Sequence, residues 1–308
     1  MIVEVRSITK RYGELVAVKG LSFEVDSGEI FGLLGPNGAG KTTTIRILMD
    51  IFRPDEGEVR IFGRKPSEVK EKVGYLPEER GLYQGLRVLE TLVYLAQLKG
   101  VPEHVARDRA LALLERVELA DKARNRVKEL SKGMQQKLQF VASIIHDPEL
   151  VFLDEPFQGL DPVNVELVKG MIKELQSQGK TIVLSSHQMN LVEALCDRIL
   201  LINKGESVLY GPLREIKRRF APNSVLVKSP GLPPSIPGVA SASRKDDAFL
   251  LALADGVSPQ DLLRALVEAG VEIEAFEVAP VPLEEIFVKV VREEREGAPF
   301  QGLDHSQA

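Results

Sequence analysis

Eight consecutive residues, Gly35-Pro36-Asn37-Gly38-Ala39-Gly40-Lys41-Thr42, fit the spacing G-x-x-x-x-G-K-[ST]. Glycines at these points let successive backbone N–H groups turn inward around one anion. Lys41 adds a point charge for β and γ phosphates, and the Thr42 hydroxyl can ligate magnesium. Thr42 and Thr43 open a helix, whose N-terminus adds a field favourable to the same phosphates. By itself this motif specifies a nucleoside triphosphate and nothing further.

A second pattern, Leu150-Val151-Phe152-Leu153-Asp154-Glu155-Pro156, is an apolar run ending in two carboxylates. It suits a magnesium-side acid, Asp154, followed by a general base for water, Glu155. Away from the first motif it would read as a strand ending in a solvated acidic turn. A third segment, Leu130 to Lys137, opens a helix: Ser131 is a natural N-cap, and Gly133 lets an anion approach the first turn. Alone, that segment is better explained as a plain helix cap.

These residues need a scaffold, and the hydrophobic pattern supplies one. Strands are expected at Ile2–Ser7, Leu21–Val25 and Ile30–Leu34, with a helix over Thr42–Phe52 stopped by Pro54. Helical patterns then fill Val88–Leu98, Glu103–Val117 and Ser131–Ile145, a mostly α insertion over about 86–145. Strand and helix alternate again through Leu150–Leu153, Pro162–Gln178, Thr181–Ser185, Gln188–Cys196 and Arg198–Ile202, which predicts a parallel α/β core. Near Ala221 the composition turns to Pro, Gly and Ser, and a small unit is expected beyond it. Its strands fall near Ser224–Lys228, Phe249–Leu253 and Val271–Val278, and its helices at Ser258–Ala269 and Leu283–Val291. The division is therefore 1–221, 222–293 and a polar, flexible tail over 294–308.

The chain has 308 residues, room for two domains of about 150 each, and its 44% hydrophobic and 28% charged content excludes disorder throughout. Mean hydropathy is −0.04, and no run of 18 apolar residues offers a spanning helix. Met1 to Lys10 lacks a basic stretch followed by an apolar one, so a signal peptide is not expected. The single cysteine, Cys196, forms no internal disulfide and reads as a small buried residue suited to a reducing cytosol. Residues 1–221 carry 33 Lys and Arg against 31 Asp and Glu, whereas 222–308 carry 7 against 14. That acidic C-terminal part repels phosphate backbones, so no nucleic-acid partner is expected.

Taken in order, the motifs resemble those of the ATP-binding cassette (ABC) ATPases over about residues 1–215. Gly35–Thr42 is similar to the Walker A cradle, Ser131–Gln135 to the signature sequence, and Asp154 with Glu155 to the Walker B pair. Gly159-Leu160-Asp161 resembles the D-loop, and His187, after Leu184-Ser185-Ser186, the switch histidine. Tyr12 resembles the aromatic that stacks on adenine, the alternative being a strand aromatic buried in the core. His104, His146 and His305 match no motif and read as loop or surface residues. The resemblance implies an α/β P-loop NTPase core with an inserted helical subdomain, plus a small α+β C-terminal domain. Its cofactors would be ATP and Mg. Glu155 and His187 would be catalytic, and Thr42, Asp154 and Glu78 would face the metal. Tyr12, Gly35, Pro36, Asn37, Gly38, Ala39, Gly40, Lys41, Thr42, Thr43, Ser131, Gly133 and Asp161 would hold the nucleotide.

Two departures stand out. Lys132 and Met134 replace the Gly and Gln usual in the signature, while Ser131 and Gly133 remain. At the end of Gly74-Tyr75-Leu76-Pro77, where the family's Q-loop glutamine is expected, stands Glu78: a metal-side amide has become an acid. Glu78 to Tyr83 and the Lys-Gly-Met signature are similar to the exporter branch that includes sodium and drug efflux ATPase subunits. Its accessory domain also resembles residues 222–293, with Pro282 to Phe287 similar to the closing helix. The resemblance implies a subunit on the inner face of the cell membrane, cytoplasmic, powering export through separate transmembrane permease subunits that touch the Glu78–Leu95 groove. It also implies a second cassette, either another copy of this chain or a close homologue, facing it head to tail. An ABC ATPase acting on ribosomes or DNA, and a nucleotide-dependent regulatory module, are the alternatives.

Overall fold

The computed structural model describes residues 1–295 apart from 80, 221–223, 234, 246, 255 and 279–280. The chain forms two compact units that meet in sequence at Leu213 and Arg214. The boundary expected near Ala221, most of the expected tail, and His305 lie outside the described residues.

In the first unit, β1 (Val3–Tyr12) and β2 (Leu15–Val25) form an antiparallel hairpin longer than the sequence suggests. Ser7 adopts φ 46° between two runs of pairing, so the inward alternation of Val3, Val5 and Ile8 is interrupted and the strand's continuation to Tyr12 is hidden. β3 (Ile30–Leu34) is buried at every residue. Its chain then turns through Gly35–Gly40 into α1 (Lys41–Leu48). That helix stops short of Phe52 because Asp50 takes the left-handed φ of 55°. β4 (Glu56–Ile61), absent from the expected elements, pairs with β1; its Glu-Gly-Glu start has no apolar alternation to reveal it.

After β5 (Val73–Leu76), three helices cover 88–144: α2 (Val88–Leu98), α3 (Glu103–Arg116) and α4 (Lys132–Ile144). Leu92, Ala96, Ala106, Ala110, Leu114, Leu138 and Val141 from these helices are buried. Then come β6 (Leu150–Asp154), α5 (Pro162–Ser177), β7 (Thr181–Ser186), α6 (Met189–Leu195), β8 (Arg198–Asn203) and β9 (Glu206–Pro212). The core sheet has the order β5-β6-β7-β3-β8-β9, parallel except for β9 on β8. Residues of β3, β6 and β7 face protein on both sides, each large apolar side chain contributing about 1.5–3 kcal/mol on burial. Register aligns the carboxyl ends of four strands: Leu34 pairs with Ser186, Asp154 with Ser185, and Leu76 with Leu153. Ligands of open α/β sheets bind at that edge.

The second unit contains most of α7 (Leu213–Phe220) and a four-stranded antiparallel sheet of order β11-β12-β10-β13. Its strands are β10 (Ser224–Lys228), β11 (Val239–Lys245), β12 (Ala248–Leu253) and β13 (Ala275–Val278). β11 lies within the stretch whose composition suggested a break; its Val-Ala-Ser-Ala-Ser run carries little apolar signal because it is an edge strand. Val225, Val227, Leu251 and Leu253 pack with Leu262 and Leu266 of α8 (Pro259–Glu268), which Ser258 and Asp261 cap reciprocally. α9 (Leu283–Arg295) buries Leu283, Ile286 and Val290.

Candidate active site

The strand ends at the aligned edge deliver the chemical groups. The turn after β3 carries Lys41, whose side chain is only 5% exposed and whose Nζ donates to the carbonyl oxygens of Gly35 (2.8 Å) and Pro36 (3.2 Å). Burial lowers the affinity of Lys41 for its proton; Glu155, Asp154 and Glu78 oppose that effect. Gly35 is required by space as well as by φ, since a Cβ there would stand 2.2 Å from the Ile202 carbonyl oxygen.

Asp154, at the end of β6, is fully buried. One carboxylate oxygen, Oδ1, accepts from Ser185 Oγ of the adjacent strand and lies 3.2 Å from Thr42 Oγ1. The other, Oδ2, is buried with no hydrogen-bond partner. Burial raises the proton affinity of this carboxyl, against the pull of the Ser185 and Thr42 hydrogen bonds. Thr42 Oγ1 also lies 3.3 Å from Glu78 Oε2, so one hydroxyl faces two acids from different strands.

Glu155 follows with φ 50°, a left-handed conformation uncommon for a residue with a Cβ. Its backbone N–H is held by Ser185, at 3.1 Å from Oγ and 3.3 Å from the carbonyl oxygen. The carboxylate, 6% exposed, sits between cationic and titratable neighbours: Lys41 Nζ at 3.9 Å and His187 Nδ1 at 3.0 Å from Oε1. His187 is itself 44% exposed, so its ring borders solvent on one side and the base on the other.

A cavity of about 460 Å³ takes in Lys41, Thr42, Glu78 and Glu155 from among these groups. Tyr12, Leu15 and Ala17 of the β1–β2 hairpin line it, with Asn37 through Thr43, Glu78 and Glu155. Tyr12 is no core aromatic. It is 43% exposed and forms a T-shaped pair with Phe52, ring centroids 6.0 Å apart, with Lys10 Nζ 5.8 Å from the Tyr12 ring centroid. Ser131, Gly133 and Asp161 do not line this cavity. Ser131 is an exposed N-cap of α4, accepting from the Met134 N–H at 3.3 Å. Asp161 caps α5 through the Asn164 N–H at 2.9 Å, and that bond holds its carboxyl below the usual range. A Cβ on Gly133 would lie 3.5 Å from the Gly159 carbonyl oxygen, so the two capped turns are neighbours.

Sequence reasoning did not single out Ser185, Gln136 or Gln139. Ser185 holds both acids through β6–β7 register, which no local pattern announces. His146, expected at a surface or loop, is partly buried beside the Val73 carbonyl oxygen (3.1 Å), and burial pushes it down to about 4. His104 is exposed on α3.

Residues 18–158 match the family described as ABC transporter, and residues 211–291 match the C-terminal domain of DrrA1-3-like ATP-binding proteins. The chain is 41% identical over 288 residues to the ABC transporter ATP-binding protein YhaQ of Bacillus subtilis (strain 168), covering 92% of this chain and 96% of that one. It is 32% identical over 278 residues to the linearmycin resistance ATP-binding protein LnrL of the same strain, covering 89% and 86%. Among solved structures, the dimeric post-hydrolysis state of the ATP-binding cassette MJ0796 bound to ADP and Pi aligns with TM-score 0.65 at 27% identity, over 69% of this chain and 99% of that one.

Proposed function

This chain belongs to the ATP-binding proteins of ABC transporters, and from that premise we propose how its own residues carry the activity. It binds and hydrolyses ATP. Gly35 to Thr43 hold the phosphates, with Lys41 exchanging its contacts to the Gly35 and Pro36 carbonyls for phosphate oxygens, and Tyr12 stacks on the base. Glu155 takes the proton of the attacking water, and His187 orients that carboxylate from its Nδ1 side. The single observation that supports this reading most is the convergence of Lys41, Thr42, Asp154, Glu155, His187 and Glu78 at the carboxyl ends of adjacent strands.

The residues also fit magnesium. Asp154 Oδ2 is a buried acceptor without a partner, and Thr42 and Glu78 present hard oxygen donors beside it. No group of three or more His, Cys, Asp or Glu side chains forms a closed cage among the described residues. That is the pattern of a cation shared between few protein oxygens and a bound phosphate. Magnesium, when bound, would supply charge neutralisation at the β and γ phosphates.

Ser131, Gly133 and Asp161 complete the nucleotide site of a second cassette, another copy of this chain or a homologue, in a head-to-tail pair. Among the described residues, no helix is long and apolar enough to cross a membrane. In the proposed reading, the transport path is formed by separate permease subunits that hold this chain at the cytoplasmic face, in keeping with its similarity to transporter ATP-binding proteins. Export is favoured over uptake by the similarity to a linearmycin resistance protein and, at 38% identity, to a Nod factor export ATP-binding protein. Purification of the tagged chain from detergent-solubilised membranes tests the transport reading. Copurification of a multi-helix membrane protein that raises its ATPase rate is expected. A chain that hydrolyses ATP yet recovers no membrane protein overturns it.

A further inference from the structure

We propose that Gln139 is a positioning residue that ties Glu78 to the helix headed by Ser131, so that displacement of the signature turn is transmitted to the metal-side acid. The proposal rests on the reading that Glu78 faces the magnesium and γ-phosphate position and that Ser131 meets the nucleotide of a second cassette.

Gln139 lies in the middle of α4, 4% exposed. Its Nε2 donates to two backbone carbonyl oxygens, those of Pro77 and Glu79, both at 3.0 Å. These are the residues on either side of Glu78. Holding both flanking peptides fixes the backbone from which the Glu78 side chain extends toward Thr42. The amide orientation follows from chemistry: turned over, its oxygen would face two carbonyl oxygens, three acceptors together. The arrangement leaves Gln139 Oε1 buried without a partner, so the side chain is placed for its donor end.

The same helix face repeats the device one turn earlier. Gln136 Nε2 donates to the Pro156 carbonyl oxygen at 3.1 Å, immediately after Glu155. Residues three apart share a helix face, so two amides of one rigid element hold the chain beside both Glu78 and Glu155. α4 also lies directly against the strand that leads to Glu78. Gly74 of β5 leaves no room for a side chain there, since a Cβ would stand 2.1 Å from the Ser143 carbonyl oxygen of α4, so the strand backbone packs directly on the helix. Ser131 caps the N-terminus of this helix, eight residues or about 12 Å of axial rise from Gln139. A contact that displaces Ser131 therefore displaces the anchor of Glu78 as well, and nucleotide bound in one site alters metal affinity in the other.

The test is a double-mutant cycle in the full-length chain with Gln139→Met and Glu78→Gln, and Gln139→Leu as a second shape should Met fold poorly. Each variant is read by Mg titration of ATP hydrolysis, ATP affinity and melting temperature. We expect Gln139→Met to raise the Mg concentration for half-maximal rate about threefold or more, lower kcat by no more than Glu78→Gln does, and leave ATP affinity within about threefold. In the Glu78→Gln background the same substitution should change the Mg response by less than about twofold, because the coupled acid is gone. A Gln139 variant that melts earlier but titrates Mg as wild type, or whose effect multiplies fully with that of Glu78→Gln, overturns the coupling. If Glu78→Gln alone leaves the Mg titration unchanged, the site reading itself falls, and the coupling with it.

Discussion

Two regions of the first unit carry motif residues and are built in opposite ways. At the strand ends, Lys41, Asp154 and Glu155 are buried within reach of one another, and burial shifts the proton affinity of Lys41 down and that of Asp154 up. At the starts of α4 and α5, Ser131 and Asp161 are exposed, and each spends its side-chain oxygen on the helix it caps. Buried charge is tolerated only where partners compensate it, so the first region is a nearly finished binding site within one chain. The second is a pair of exposed helix N-caps, which in the proposed reading meet an anion brought by another molecule. In the proposed reading, one cassette contains two unlike halves of a site.

The comparison breaks most sharply at Lys41. Lys41→Ala should abolish ATP binding, because the cradle loses its fixed cation; retained affinity in titration calorimetry would place the phosphates elsewhere. Next in size, Glu155→Gln should keep binding but slow hydrolysis about a hundredfold or more, and it should trap an ATP-dependent dimer visible by size-exclusion chromatography. Ser131→Arg tests the exposed half. ATP affinity of the isolated chain should stay within about threefold while hydrolysis falls about tenfold or more, and a matching loss of affinity would mean that Ser131 serves its own chain's nucleotide. Glu78→Gln should change basal hydrolysis by less than about tenfold, roughly 1.4 kcal/mol. It should also tighten metal-free ATP binding, since a carboxylate no longer faces the γ phosphate.

The smallest effect belongs to neither half but to the scaffold under both. His146 is neutral in the fold with its value pushed down to about 4, while the unfolded chain titrates near 6.5. Between those values the unfolded state binds more protons, so stability falls as pH drops from 6.5 towards 4. Melting curves of His146→Asn should show a flatter acid limb over that window; an unchanged limb would assign it to other groups.

The contrast also explains what the sequence disclosed. Gly35–Thr42 and Asp154–Glu155 are contiguous because a phosphate cradle and a strand-end acid pair are local structures, and the α2 bounds Val88–Leu98 follow from apolar spacing alone. β4, β9 and β11 escaped because edge strands and hairpin arms carry few inward residues, leaving no alternation to read. Ser185, Gln136 and Gln139 escaped for a different reason. Each acts on a residue at least 20 positions away, and polar residues inside a strand or helix announce nothing until tertiary contact gives them an object.

Ser185 is engaged in both directions at once: its hydroxyl gives its proton to Asp154 Oδ1 and receives the N–H of Glu155. The acid beside the metal position and the base beside the water are therefore not independent variables, since one oxygen atom on β7 gauges the spacing between them. Selection for faster or slower turnover thereby acquires a dial outside every motif. A hydroxyl-preserving exchange at 185 would retune both acids in step, and removal of the hydroxyl would release them together.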